Sequence, residues 1–176
     1  FVQVKREIPN SRLIVVGPGT RLRRKYEKKV AKNGIKDVVF AGFVSHDDLP
    51  RYYKTADVFC APATGRESFG IVLLEAMAMG KPVVASNIEG YASVVTHGVD
   101  GLLVPPRDTE ALAQTLVSLL NDSSLRQQMG TRGRAKALEH SWERIARDVM
   151  GYYLRVLGEP PWRRQFPEFK ATAISV

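Results

Sequence analysis

Two carboxylates, Glu67 and Glu75, enclose the run Ser68-Phe69-Gly70-Ile71-Val72-Leu73-Leu74. Ahead of them lie a β-branched run and the loop Ala61-Pro62-Ala63-Thr64-Gly65-Arg66. The pattern predicts a strand end, a flexible loop, and a helix from about Ser68 to Met79 whose first turn carries Gly70. Gly80 followed by Pro82 supplies its stop. The first turn of a helix offers N–H groups with no internal partner and the positive end of the dipole, which suits an anion. Glu75 falls amid Ile71, Val72, Leu73, Leu74 and Ala76, where an unpaired charge is expensive. A pair of sugar hydroxyls would satisfy it, so the local chemistry suits a phosphate on the helix tip with saccharide hydroxyls on both sides. Taken alone, the two acids also read as a helix N-terminal acid and a solvated acid. Arg66 reads equally as a phosphate contact or a plain loop cation.

The elements that must position this segment alternate in type along the chain. Strands are expected at Arg12 to Val16 (a buried one), Asp37 to Ala41, Asp57 to Ala61, Pro82 to Ser86 and Leu102 to Val104. Between and after them the spacing predicts a basic helix to about Lys32, a helix opened by Ser45 with Asp48 three residues on and running through Tyr53, and three final helices. The last three cover about Thr109 to Leu120, Ser124 to Leu138, and Trp142 to Leu157, with Ser141 as the final cap. Strand and helix in this rhythm imply an α/β, Rossmann-like three-layer domain. Its parallel sheet has helices on both faces and binds ligands at the carboxyl ends of its strands. The domain spans 1–157, and 158–176, with its prolines and three aromatics, reads as an irregular tail. Phe1, Val4 and Ile8 share one helical face with no capping residue before them, as expected of a fragment whose missing part is N-terminal.

Composition narrows the function classes. The chain has 176 residues, 44% of them hydrophobic, which suits one globular core and excludes disorder. Its 26 basic and 18 acidic side chains give a net charge of +8, with a sequence pI near 9.8, and favour anionic partners. Much of that charge gathers at Arg21, Arg23, Arg24, Lys25, Lys28, Lys29 and Lys32, opposed by Glu27. This cluster reads first as a solvated helix face and second as a surface drawn to anionic lipid, a peripheral membrane contact. No nucleic-acid motif accompanies it. The single cysteine, Cys60, reads as strand core, rules out an internal disulfide and suits the cytoplasm. Gly17-Pro18-Gly19 lacks the third glycine of a dinucleotide fingerprint, His46, His97 and His140 lie far apart at turns or helix ends, and no Asp-x-Asp occurs. No metal site and no bound cofactor are assigned.

With the flanking text in register, the residues reach a resemblance. Glu67-Ser-Phe-Gly-Ile-Val-Leu-Leu-Glu75 resembles the Glu-x7-Glu motif of family 4 glycosyltransferases, retaining enzymes of the GT-B fold. Leu13 to Gly19, Val39 to Val44, Ala56 to Pro62, Gly80 to Ser86, Gly98 to Pro105 and Ser141 to Glu143 agree with the same family. Within it the likeness runs to the phosphatidylinositol mannosyltransferase group, chiefly through Ala56 to Ser86.

The resemblance implies the C-terminal, donor-binding half of such an enzyme. Glu67 would contact the transferred sugar as the catalytic positioning acid. The backbone of Phe69, Gly70, Ile71 and Val72 would hold sugar and diphosphate, and Glu75 the ribose hydroxyls. The turn Gly42 to Val44 would lie against the base, and the turn from Gly17 to Gly19 would border the same cleft. The donor would be a GDP- or UDP-linked hexose, with mannose suggested, and transfer would need no metal. One departure stands out: the strand with an Arg and a Lys that opens this half in the family has no match here, and neither does the acceptor-binding N-terminal domain. A fragment without them should lack catalysis on its own. Two other classes stay open, a non-catalytic nucleotide-binding or scaffolding module and a sugar-nucleotide epimerase or phosphorylase of related fold.

Overall fold

The structure, a computed structural model, describes residues 1–157; the tail expected at 158–176 lies outside the described residues. In chain order the elements are α1 (Val2–Glu7), β1 (Leu13–Val16), α2 (Arg21–Lys32), β2 (Val38–Gly42), α3 (Leu49–Thr55), β3 (Phe59–Ala61) and α4 (Ile71–Ala78). β4 (Val83–Ser86), α5 (Glu89–Ala92), β5 (Gly101–Val104), α6 (Thr109–Asn121), α7 (Ser123–Glu139) and α8 (Trp142–Leu157) follow. Side-chain caps fix several helix starts. Thr20 accepts the N–H of Arg23, Asp108 that of Ala111, Asp122 that of Leu125, and Ser141 that of Arg144.

Two helix starts and one additional helix depart most from the sequence expectation, each for a local reason. Ser45 Oγ does accept the Asp48 N–H at 3.2 Å, but this bond closes a turn, and α3 begins only at Leu49, with Pro50 in its first turn. Helix α4 begins at Ile71 instead of about Ser68, because the chain turns through a left-handed Gly70 first. The four-residue α5 is too short to show a periodicity and was not expected.

All strand pairings are parallel, as the alternation required. The one sheet expected is two hydrogen-bonded sheets, β1-β2 and β3-β4-β5. β1 runs Leu13 against Val38 to Val16 against Gly42, with one extra β2 residue at Ala41. Among the described residues β1 and β3 each keep one edge without a ladder partner. This corrects the reading of Arg12 to Val16 as a buried strand: Ile14 is 42% and Val15 38% exposed. Paired on one side only, the strand lacks the neighbour that would bury it.

The core sits on the second sheet. Every residue of β4 is buried, so its side chains serve both faces. Val83 and Ala85 join Leu73, Ala76 and Met77 of α4, Tyr91 of α5, and Val94 and Val95 just beyond it. Val84, pointing the other way, joins Val104, Leu119 and Met129, with Leu112 and Leu116 of α6 against them. Burying side chains such as Leu73 and Met77 contributes about 2 kcal/mol each. At its far end α4 stops in a Schellman turn: the N–H of Lys81 bonds Ala76 O at 3.1 Å and that of Gly80 bonds Met77 O at 2.8 Å. Cys60 lies on β3, where burial pushes its thiol up to about 11, the setting of an inert thiol.

A buried ion pair ties α7 to the loop before β5. Lys136 Nζ reaches the Asp100 carboxylate, Val94 O at 2.8 Å and Thr96 Oγ1 at 2.7 Å, while Asp100 also accepts the Thr96 N–H. Asp100 is 2% exposed. Lys136→Met therefore strands a buried carboxylate and should cost about 3 kcal/mol or more in chemical denaturation. Arg51→Ala, which removes the exposed pair with Asp48, should cost under about 1 kcal/mol.

Candidate functional site

Parallel strands place their carboxyl ends at one edge, and the sequence-marked residues fall there in two groups. At the ends of β1 and β2 the Gly17 N–H donates to Gly42 O at 2.9 Å, so the two glycine turns touch. Gly19 is exposed on the loop into α2, and Val44 is half-buried just past β2 beside the exposed Phe43. At the end of β3 the loop 62–70, with Glu67, Phe69 and Gly70, leads into α4, which carries Ile71, Val72 and Glu75. No hydrogen bond among the described residues joins the two groups.

The turn into α4 is tightly determined. Gly70 sits outside the helix with φ 83°, ψ 49°, a left-handed conformation that side chains beyond glycine resist. A Cβ there would also lie 2.7 Å from Tyr91 Cδ1. Across the turn, a Cβ on Gly90 would lie 2.2 Å from the Glu67 carbonyl oxygen, so α5 and the Glu67 backbone can meet only because residue 90 has no side chain. Arg66 is left-handed too, at φ 62°, and exposed. Phe69 rests its ring 6.2 Å from that of His140 at the end of α7.

Glu67 is half-buried, and its Oε1 accepts the N–H of Gly70 at 3.3 Å. This corrects the expectation that Gly70 lends a free N–H to the helix tip: Glu67 holds it. The open donors begin one residue later, at Ile71 and Val72, the first two helical residues, whose N–H groups have no partner within a helix. The phenol of Tyr91 titrates above its ordinary range, first through burial and then through the Glu67 charge.

Glu75 lies in the second turn of α4, on the side of Ile71 and Val72 and away from the buried Leu73, Ala76 and Met77. Ile71 is 53% exposed, so the expected apolar cage around Glu75 is open on one side. Nor is the charge unpaired, because Tyr53 of α3 donates its hydroxyl to Glu75 Oε2 at 2.7 Å. Sequence reasoning missed Tyr53, Gly90 and Tyr91. The first lies 22 residues from its partner, and the other two sit in or beside a helix of one turn.

The basic cluster also divides. Arg23 turns inward, bonding Glu27 at 2.7 Å and Phe40 O at 3.1 Å with its guanidinium over the Phe40 ring. Arg21, Arg24, Lys25, Lys28, Lys29 and Lys32 stay exposed.

Arrangement at the turn gives a direct stability test. Gly34 is left-handed (φ 61°) with nothing near its Cβ position, so Gly34→Ala should cost about 1 kcal/mol from backbone strain alone. Gly70→Ala adds the collision with Tyr91 and should cost at least about 1 kcal/mol more in the same denaturation experiment.

Comparison with known proteins agrees with this architecture. The model of the family "Glycosyl transferases group 1" matches residues 1–136. A phosphatidyl-myo-inositol mannosyltransferase of Mycobacterium leprae is 38% identical over 141 residues, which are 80% of this chain and 37% of that protein. Sucrose-phosphate synthase of Thermosynechococcus elongatus aligns with a TM-score of 0.81 at 33% identity, over 90% of this chain and 42% of that one. HepE of Anabaena, solved in complex with UDP-glucose, aligns at 0.72 and 27% identity, over 85% of this chain and 43% of its own. The chain thus spans well under half the length of the curated relatives it matches. Its parallel α/β layers are those of the Rossmann-like half of a GT-B enzyme, and with a family match that takes in both acids and the turn between them, the chain belongs to the group 1 glycosyl transferases.

Proposed function

We propose that this chain is the donor-binding half of a retaining hexosyltransferase whose donor is a nucleoside diphosphate sugar, GDP- or UDP-linked. The observation that carries the reading is the α4 turn: open N–H groups at Ile71 and Val72, with half-buried Glu67 on one side and Glu75 on the other. The diphosphate would sit on those donors and the dipole behind them. Glu67 would face the sugar with the oxygen that Gly70 leaves unused, and Glu75 would face the ribose. Gly17, Gly19, Gly42 and Val44 would border the base at the ends of β1 and β2. A relative that is a mannosyltransferase and a neighbour solved with UDP-glucose support a hexose, with mannose favoured by the former.

In the proposed reaction the bond between the anomeric carbon and the diphosphate oxygen breaks. The acceptor hydroxyl oxygen bonds to that carbon from the same face, and its proton passes to the departing phosphate. Glu67 acts by charge and position, not as a nucleophile. No metal has a role in this scheme; the open N–H groups and dipole of the helix tip would meet the leaving charge.

The acceptor side belongs to the rest of a polypeptide of the relatives' length. A strand from that remainder would fit the free edges of β1 and β3 and would bury Ile14 and Val15. The outward cations of α2 leave room for a peripheral contact with anionic lipid on the cytoplasmic side, and among the described residues no helix is long and apolar enough to cross a membrane.

Calorimetric or NMR titration of UDP and GDP checks the assignment. Glu75→Ala should weaken the bound nucleotide about 10-fold or more, the worth of a hydrogen bond to a charged group. Glu67→Gln, which keeps an acceptor for Gly70, should leave the nucleotides unchanged and lower affinity for the hexose-bearing donor alone. Equal affinity of wild type and Glu75→Ala for both nucleotides overturns the reading.

A further inference from the structure

Glu75 is the acid proposed for the ribose, and its carboxylate is hydrogen-bonded from another helix. Tyr53 stands in the last turn of α3, half-buried, with its ring edge-on to Phe59 of β3 at 5.3 Å between centroids and 66° between planes. The same ring packs on the core cluster of α4, β4 and Val94. Its position is therefore set by the core and does not depend on Glu75. From that fixed ring the hydroxyl donates to Glu75 Oε2 at 2.7 Å. No hydrogen bond among the described residues engages Oε1. Glu75 meanwhile projects on the open side of α4, next to exposed Ile71 and Val72, where a free glutamate would sample several rotamers.

Resting on the proposed ribose role of Glu75, we propose that Tyr53 is a positioning residue for nucleotide binding: its hydroxyl locks the Glu75 carboxylate so that one oxygen, Oε1, is presented to the ribose hydroxyls. The lock removes rotamer freedom before the ligand arrives, which is the part of binding free energy that ordering otherwise consumes. It also means that one carboxylate oxygen is already occupied, so the ribose meets a single acceptor atom and not a two-oxygen fork. The tyrosine titrates above its ordinary range, through burial and then through Glu75, so it stays a donor across the working pH range.

Rival to this is a hydroxyl that merely staples α3 to α4. Titrations of UDP and GDP, and of their 2′,3′-dideoxy forms, into wild type, Tyr53→Phe, Glu75→Gln and the double variant separate the two. Tyr53→Phe keeps the ring against Phe59, and a thermal melt checks its fold. It should raise Kd for the ribose nucleotides about 3- to 10-fold. It should leave the dideoxy forms unchanged, and the effects of Tyr53→Phe and Glu75→Gln should be less than additive. A penalty that persists with the dideoxy nucleotides makes Tyr53 a staple and overturns the proposal. So does an unchanged Kd in Tyr53→Phe while Glu75→Ala still weakens binding, a result that leaves the ribose role of Glu75 standing. If Glu75→Ala changes nothing either, the ribose role itself is wrong and the lock falls with it.

Discussion

One turn of backbone governs what this chain can present to a ligand: the left-handed Gly70 that delivers the loop after β3 into α4. A helix tip is useful to an anion only if its first N–H groups open outward at the carboxyl ends of the strands. Three contacts hold it so. Gly90 has no Cβ and lets α5 meet the Glu67 carbonyl, the Tyr91 ring fills the space a Gly70 side chain would need, and Glu67 takes the Gly70 N–H. That last bond has a consequence for chemistry. The donor nearest the loop is already satisfied, so the open positions are Ile71 and Val72, and the acid that satisfies it is held beside them.

Such a turn would not keep its shape on an isolated helix. Eight residues cannot sustain an α-helix in water, so α4 owes its existence to packing. Its inner face, Leu73, Ala76 and Met77, is fully buried against β4 and α7, and a Schellman turn closes its far end. Its outer face, Ile71, Val72 and Glu75, is what remains for a ligand. Helix α2 is built the opposite way. It has no buried residue, its inward side carries the Arg23–Glu27 pair with the Arg23 guanidinium over Phe40, and its outward side mixes six cations with the exposed Leu22 and Tyr26. Helix α1 buries Val4 and is tied to the start of β2 by Lys5, which pairs with Asp37 at 2.5 Å and keeps the Asp37 carboxyl below its usual range.

How much of this was legible in the sequence follows from the range of each interaction. The parallel α/β order could be read because β-branched runs and glycine stops are local, and the strand and helix bounds shifted by only a few residues. The pair Glu67 and Glu75 could be found because both acids belong to one short segment. Gly70 could be marked, but not its left-handed φ, which moved the helix start from about Ser68 to Ile71. Residues that act across the fold left no trace: Tyr53 on Glu75, Gly90 on Glu67 and Lys136 on Asp100 are pairs joined only by tertiary packing. The exposure of Ile14 and Val15 was also invisible, because four apolar residues in a row read as a strand buried on both faces whether or not a neighbour is present to bury it.

Electrostatics at the tip bear on why both acids are hydrogen-bonded to the protein. A diphosphate on the Ile71 and Val72 donors would stand near two carboxylates. At a separation of about 7 Å and an effective dielectric of about 20, each would oppose the ligand by about 2 kcal/mol. The dipole of one short helix, at about 1 kcal/mol, does not offset that alone. Two features on this chain act against the repulsion. Each acid spends part of its charge on a donor, Gly70 N–H for Glu67 and Tyr53 O–H for Glu75, which draws negative potential away from the tip. The chain as a whole also carries +8, a net charge that favours the approach of an anion. Acids beside a bound anion would be tolerable only when they are engaged and the wider charge favours the anion; the side-chain bonds supply the first condition and the net charge of the chain the second.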